Sequence, residues 1–175
     1  MEVVTGPDSI RDQRLEQLVE QYQQVVLRMC YLYLHDAEQA KDATQESFLK
    51  AYLALGAFRG ECSDKTWLMR IAINTCRDMR RSAWFRYLDR RITPDQLPEA
   101  VIQPQEEDVE LTLAVMKLPH KLKEVILLYY YQNMTTQEIA VALGTGQSTV
   151  STRLKQARCT LRKMLEGGAM DGSSR

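Results

Sequence analysis

Residues 135–165, TTQEIAVALGTGQSTVSTRLKQARCTLRKML, read as a short helix, a sharp turn and a longer helix. Thr135 or Thr136 can accept a hydrogen bond from the open amides of a helix start, and Glu138 lies in the first turn, where negative charge is favoured. Ile139, Ala140 and Leu143 fall on one side, with Ala140 small where two helices must cross closely. Gly144 suits the left-handed residue that ends a helix and turns the chain. After it, Val150, Leu154, Ala157 and Leu161 recur as one apolar stripe at helical spacing. The opposite face then carries Ser148, Ser151, Thr152, Lys155 and Cys159, flanked by Arg153 and Gln156. Short hydroxyls, an amide and a long cation can bond base edges in a major groove, while flanking arginines meet phosphates. The same pattern also fits a helical hairpin whose polar face is merely solvated.

Outward from this hairpin, charge is unevenly spread. The chain has 175 residues, with 23 Lys and Arg balanced by 23 Asp and Glu. Yet residues 1–58 carry −4, residues 59–91 carry +5, residues 92–113 carry −6 and residues 144–166 carry +4. Two basic blocks separated by an acidic one point to two sites for a polyanion on two domains. The segment ITPDQLPEAVIQPQEED, residues 92–108, has three prolines and no apolar period, and reads as a mobile linker.

Before the linker, Leu15, Leu18, Val19, Tyr22, Val25, Val26, Met29 and Tyr33 predict a helix over residues 10–35. Asp36 can cap a second helix running to about Leu55, with Ala40, Ala43, Ser47, Phe48, Ala51 and Leu55 inward. GAFRGECSD breaks the pattern as a loop, and Ser63 or Asp64 can start a third helix whose apolar set is Trp67, Leu68, Ile71, Ala72, Thr75 and Met79. Here Phe58, Trp67, Trp84, Phe85 and Tyr87 interleave with Arg59, Lys65, Arg70, Arg77, Arg80 and Arg81. Aromatic rings with cations suit single-stranded nucleic acid, although Trp67 itself reads more simply as core. Beyond the linker, Val109, Leu111, Leu113 and Val115 resume helical patterning, Pro119 fits a helix first turn, and KEVILLYYY reads as helix. The expected fold is all-α: a helical bundle over residues 10–91 and a helix-turn-helix domain over residues 109–167, joined by the linker, with residues 168–175 a disordered tail.

Other functions find little support. The four cysteines form no CxxC pair and no His stands near them in sequence, so no metal is expected, and Cys30 and Cys76 read as small core hydrophobes. His35 and His120 are 85 positions apart, and no nucleophile–base order or Gly-rich phosphate loop appears, so neither catalysis nor a cofactor is expected. No apolar run approaches the ~20 residues of a membrane span, and the N-terminus lacks a signal-peptide pattern, which predicts a cytoplasmic protein without membrane insertion.

Taken in order, EQAKDATQESFLKAYLAL, FRGECSDKTWLMRIAINTCRDMRR, the acidic linker and the 135–165 stretch resemble a bacterial RNA polymerase sigma factor of the extracytoplasmic-function (ECF) group, from about Gln13 to Leu165. The resemblance implies a sigma-2 domain that binds the β′ clamp helices and opens the promoter −10 element. It also implies a sigma-4 domain that reads the −35 duplex and touches the β flap, a linker threaded near the active-site channel, and an anti-sigma partner acting in stress response. By position, Asp42, Gln45, Glu46 and Leu49 match the polymerase-binding helix. Phe58, Arg59, Gly60 and Glu61 match the loop that captures a flipped −10 base, and Lys65, Arg70, Asn74, Arg77, Asp78, Arg80 and Arg81 continue that surface. Ser148, Ser151, Thr152, Lys155 and Gln156 match the −35 base-facing set, with Thr149, Arg153 and Arg158 on the backbone. Gln156 stands where a further arginine is common, and an amide fits an adenine edge. The alternative is a helix-turn-helix regulator that binds duplex DNA without being a polymerase subunit.

Overall fold

The computed structural model describes residues 7–81 and 109–168. Helix α1 spans Pro7–Leu34, α2 Ala37–Ala54 and α3 Asp64–Arg81. A second set follows: α4 Val109–Lys117, α5 His120–Ile126, a π-helical turn Leu127–Tyr131, α6 Thr136–Leu143 and α7 Gln147–Gly168. No strand occurs among the described residues. The expected linker, the aromatic residues Trp84, Phe85 and Tyr87, and the tail from residue 169 lie outside them.

The local signals act where the sequence places them. His35 adopts φ +63 and ends α1, its amide donating to Tyr31 O at 2.8 Å. Asp36 then caps α2 by accepting from Gln39 N at 2.9 Å. Ser63 accepts from Thr66 N at 3.1 Å at the head of α3. Thr135 and Glu138 form a reciprocal capping box on α6, and Gly144 takes φ 62, ψ 42 to close it. Pro119 sits one position before α5 rather than inside its first turn, with ψ 142 holding the chain extended. Helix α7 continues through Gly168, one residue into the expected tail.

Side-chain burial differs from the sequence reading at three places. In α4 the buried residues are Thr112, Ala114, Val115 and Met116, while Val109 and Leu111 are exposed. The apolar residues two apart cannot share one helical face. Leu55 and Leu143 are only partly buried, since each closes its helix at the surface. In α3, Met69 and Ile73 are fully buried, whereas Ile71 and Met79 of the expected stripe are only partly buried. Helix α3 packs against α1, α2 and α6, so its burial is set by tertiary contacts on several sides. One hydrophobic cluster therefore runs through both halves of the chain, from Leu18 to Leu161.

The two halves of the described chain also touch, an arrangement that the sequence reading left open. Glu124 of α5 is 2% exposed, and its carboxylate accepts from Tyr33 Oη of α1 at 3.0 Å and from Arg77 of α3 at 2.8 and 2.7 Å. Lys123 Nζ lies 2.8 Å from His35 Nε2. The Arg28 guanidinium stacks 4.9 Å from the Tyr131 ring, and Lys65 Nζ donates to the Gln132 carbonyl. An arginine–carboxylate fork with two nitrogens on two oxygens is a directional, charge-assisted contact, so the halves dock in one register.

Candidate polymerase and promoter interfaces

Helix α2 buries Ala40, Ala43, Thr44, Ser47, Phe48 and Ala51, which turns Asp42, Gln45, Glu46 and Leu49 outward, all exposed. Leu53, one turn beyond Leu49, is 68% exposed, and Leu49 is 54% exposed. Two neighbouring leucines in water on a carboxylate-bearing face form an apolar and acidic patch of the kind a protein partner covers. Leu53 is absent from the sequence-based site; its spacing of four from Leu49 is the signal that could have found it. Lys50 lies 3.5 Å from Glu46 and 3.9 Å from Asp78, tying the patch to α3.

The loop after α2 is built around a stacked pair. Phe58 lies 4.5 Å from Trp67, with the ring planes 17° apart. Trp67 is 8% exposed and is core, as expected, and Phe58 is partly buried against it. Phe58 therefore forms a wall, and Arg59, Gly60 and Glu61 stand exposed beyond it. Gly60 has φ +74 with open space around its α-carbon, so the backbone angle rather than lack of room favours glycine. Asp64 pairs with Arg14 at 2.5 Å and Ser63 holds Thr66, which fixes the loop's far end.

Along α3 the expected nucleic-acid set divides. Asn74, Asp78 and Arg81 are exposed, and Arg70 and Arg80 are half-buried. Lys65 and Arg77 are engaged across to the second half of the chain. The Glu124 carboxylate raises the Arg77 pKa through its hydrogen bond. Here the structure does not leave the whole cationic face open.

Helix α7 presents its face as the sequence reading requires. Val150, Leu154, Ala157 and Leu161 are buried, and Ser148, Ser151, Thr152, Lys155, Gln156 and Cys159 are exposed. Thr149 and Arg153 are partly buried at the edge. Arg158 is exposed, but its Nε donates to Tyr130 Oη at 2.8 Å and its guanidinium lies 5.7 Å from both the Tyr129 and Tyr130 rings. That aromatic bracket points a cation along the helix without a carboxylate to neutralise it. The two Tyr rings are in the π-helical turn, a feature the sequence reading did not foresee. Cys30 and Cys76 are fully buried free thiols, with the Cys76 pKa raised by its hydrogen bond to Cys30 and by burial. Among the described residues no His, Cys, Asp and Glu cluster could hold a metal, and no helix is long and apolar enough to cross a membrane.

A bundle with an open acidic helix, followed by a helix-turn-helix with a free recognition face, is the layout of a promoter-specificity subunit. Comparison with known proteins agrees. Residues 18–86 match Sigma-70 region 2 and residues 108–161 match Sigma-70, region 4. RNA polymerase sigma-H factor of Pseudomonas aeruginosa is 31% identical over 163 residues, covering 85% of this chain and 84% of the relative. ECF RNA polymerase sigma factor SigW of Bacillus subtilis is 30% identical over 162 residues, covering 85% and 87%. Among solved structures, the sigma factor RpoE in complex with the anti-sigma factor NepR, from Bartonella quintana, has a TM-score of 0.70 at 18% identity, covering 88% of this chain and 98% of that one. The chain belongs to the sigma-70 family of RNA polymerase sigma factors, as an ECF-type member with regions 2 and 4. It directs RNA polymerase to promoters and is a non-catalytic subunit.

Proposed function

We propose that the outer face of α2, with Asp42, Gln45, Glu46, Leu49 and Leu53, is the surface by which this sigma factor docks on the clamp helices of core RNA polymerase. The observation that carries this reading is the pair of exposed leucines set among exposed acids on an otherwise well-buried helix. In the holoenzyme the Phe58–Glu61 loop and the α3 residues Lys65, Arg70, Asn74, Arg77, Asp78, Arg80 and Arg81 engage the −10 strand. Ser148, Ser151, Thr152, Lys155 and Gln156 meet −35 base edges, with Thr149, Arg153 and Arg158 on phosphates. Lys65 and Arg77 must leave their contacts with Gln132 and Glu124 to take part, so engagement on DNA requires the two halves to separate. The place of action is the cytoplasm, and the controlling partner is an anti-sigma factor, a class of complex one relative of this fold displays.

Co-elution of the purified chain with bacterial core polymerase tests the docking face. Wild type is expected to co-elute, and Asp42→Lys/Glu46→Lys, altered only at exposed positions, is expected to lose the complex while keeping its helical spectrum. A folded, monodisperse wild-type chain that fails to co-elute, or a double variant that still binds, overturns the assignment of this face.

A further inference from the structure

The seam between the two halves holds a cleft whose lining includes groups that polymerase and promoter binding do not use, Lys121, Lys123 and His120. One compartment, of about 550 Å³, lies between Tyr33 of α1 and His35 just after it, Arg80 and Arg81 of α3, and His120 and Lys123 of α5. An adjoining one, of about 400 Å³, shares Arg80 and Arg81 and is bounded further on by Lys121 and by Arg153 of α7. Volumes of this size are those of small-molecule sites.

Among the described residues one carboxylate, Glu124, lines the two compartments, and both its oxygens are already taken by Arg77 and Tyr33. Among the described residues Arg80, Arg81, Lys121, Lys123 and Arg153 have no carboxylate partner. Lys123 is the telling member. It is 2% exposed, its nearest polar contact is the His35 ring at 2.8 Å, and the Tyr33 ring lies 6.0 Å away. A buried ammonium without a counter-charge is costly, and methionine would fill the same space without that cost. Beside it, His120 Nδ1 is buried with no hydrogen-bond partner. A deeply set cation, an unused imidazole nitrogen and guanidiniums from both halves thus converge on solvent-accessible space.

We propose that this cleft is a binding site for a small polyphosphate anion, of the class of inorganic triphosphate or the phosphate tail of a nucleotide. Guanidinium forks suit phosphate oxygens, and cations spread over two adjoining compartments call for several negative charges rather than one. Because the cations come from both halves, the bound anion favours the docked arrangement over the separated one. The site shares Arg80, Arg81 and Arg153 with the proposed promoter contacts and adds Lys121, Lys123 and His120, which those contacts do not use.

Titration calorimetry of the full chain with inorganic triphosphate, with sulfate as comparator and a short single-stranded oligonucleotide in a parallel arm, tests this. Triphosphate is expected to bind one to one and at least about tenfold more tightly than sulfate. Lys123→Met, which removes the buried charge at constant volume, is expected to weaken triphosphate by about tenfold and leave the oligonucleotide affinity unchanged. Lys121→Ala, at an exposed position that cannot disturb the core, is expected to weaken triphosphate in the same direction. Absence of saturable triphosphate binding, or full binding by both variants, overturns the site. Equal loss of triphosphate and oligonucleotide binding in Lys123→Met also overturns it, since the cleft would then be a stretch of the nucleic-acid path.

Discussion

Helices α3 and α7 carry the two cationic faces of this sigma factor, and they are not equally open. On α7 the apolar stripe from Val150 to Leu161 is buried and the polar face from Ser148 to Cys159 is left to solvent. On α3 the helix also packs against α6, and Lys65 and Arg77 bond to Gln132 and Glu124, so its cationic face is open only in part, at Asn74, Asp78 and Arg81. The difference teaches that amphipathicity identifies a face, whereas its availability depends on what packs there from elsewhere in the chain.

The contrast can be broken hardest at its support. Leu154 is 3% exposed beneath the α7 face, and Leu154→Ala is expected to cost about 3 kcal/mol, read by urea or thermal unfolding. With one core cluster running through both halves, a single transition is expected to shift; two transitions, one unmoved, would show that α3 and α7 melt independently.

Glu124→Gln acts on the covered face. It removes the carboxylate that Arg77 and Tyr33 share, at constant size, and leaves Arg77 without that counter-charge, weakening the docked arrangement by about 2–3 kcal/mol. That loss is limited by the ease with which the halves part and return Arg77 to water. The expected outcome is a larger radius of gyration in solution scattering and stronger single-strand binding by the free chain. No change in either would mean that α3 is not masked by this contact.

The same seam responds to pH. Burial, with Arg80 adding to it, pushes Lys123 down from 10.5 to about 7, and burial, with Lys123 adding to it, pushes His35 down from 6.5 to about 4. For both groups the unfolded or separated state binds the proton more tightly. Stability therefore rises with pH between about 7 and 10.5 for Lys123 and between about 4 and 6.5 for His35. The docked form is expected to be favoured at pH 9 over pH 6 by about 2 kcal/mol, a difference that scattering across the range measures. Lys123→Met is expected to remove the alkaline limb and to shrink the acidic one, because Lys123 contributes to the His35 shift. A pH-independent radius would remove these two groups from the seam.

The smallest effect is local to the open side. Thr135→Ala removes one half of the α6 capping box and is expected to cost about 1 kcal/mol by thermal melting, with the α3 contacts unaltered. A loss well above that would show that the cap also holds α6 against α3.

Much of the molecule was legible in the chain. Asp36, Thr135 with Glu138, and Gly144 signal helix ends through groups two to four residues away, so their reading needs no tertiary information. The α2 and α7 stripes were legible for a related reason: each helix leaves one side to solvent, so the apolar side had to face inward. The ordered motifs identified the family, and with it polymerase and promoter. Less was legible where burial comes from distant residues. Met69 and Ile73 of α3 are buried in a core cluster that takes in residues from both halves of the chain. Asp42 and Glu46 look no different in sequence from Glu124, yet they are exposed and Glu124 is enclosed between Tyr33 and Arg77, 91 and 47 positions away.

By itself, then, the sequence determined the helices, their caps, the recognition face of α7 and the class of protein, because these rest on contacts within a few turns of chain. Tertiary structure alone decided that Arg77 is covered, that Lys123 is buried without a carboxylate, and that cations from both halves share one cleft. Those outcomes depend on long-range packing, where the apolar core sets the approach of the halves and charged side chains must settle with whatever lies opposite them.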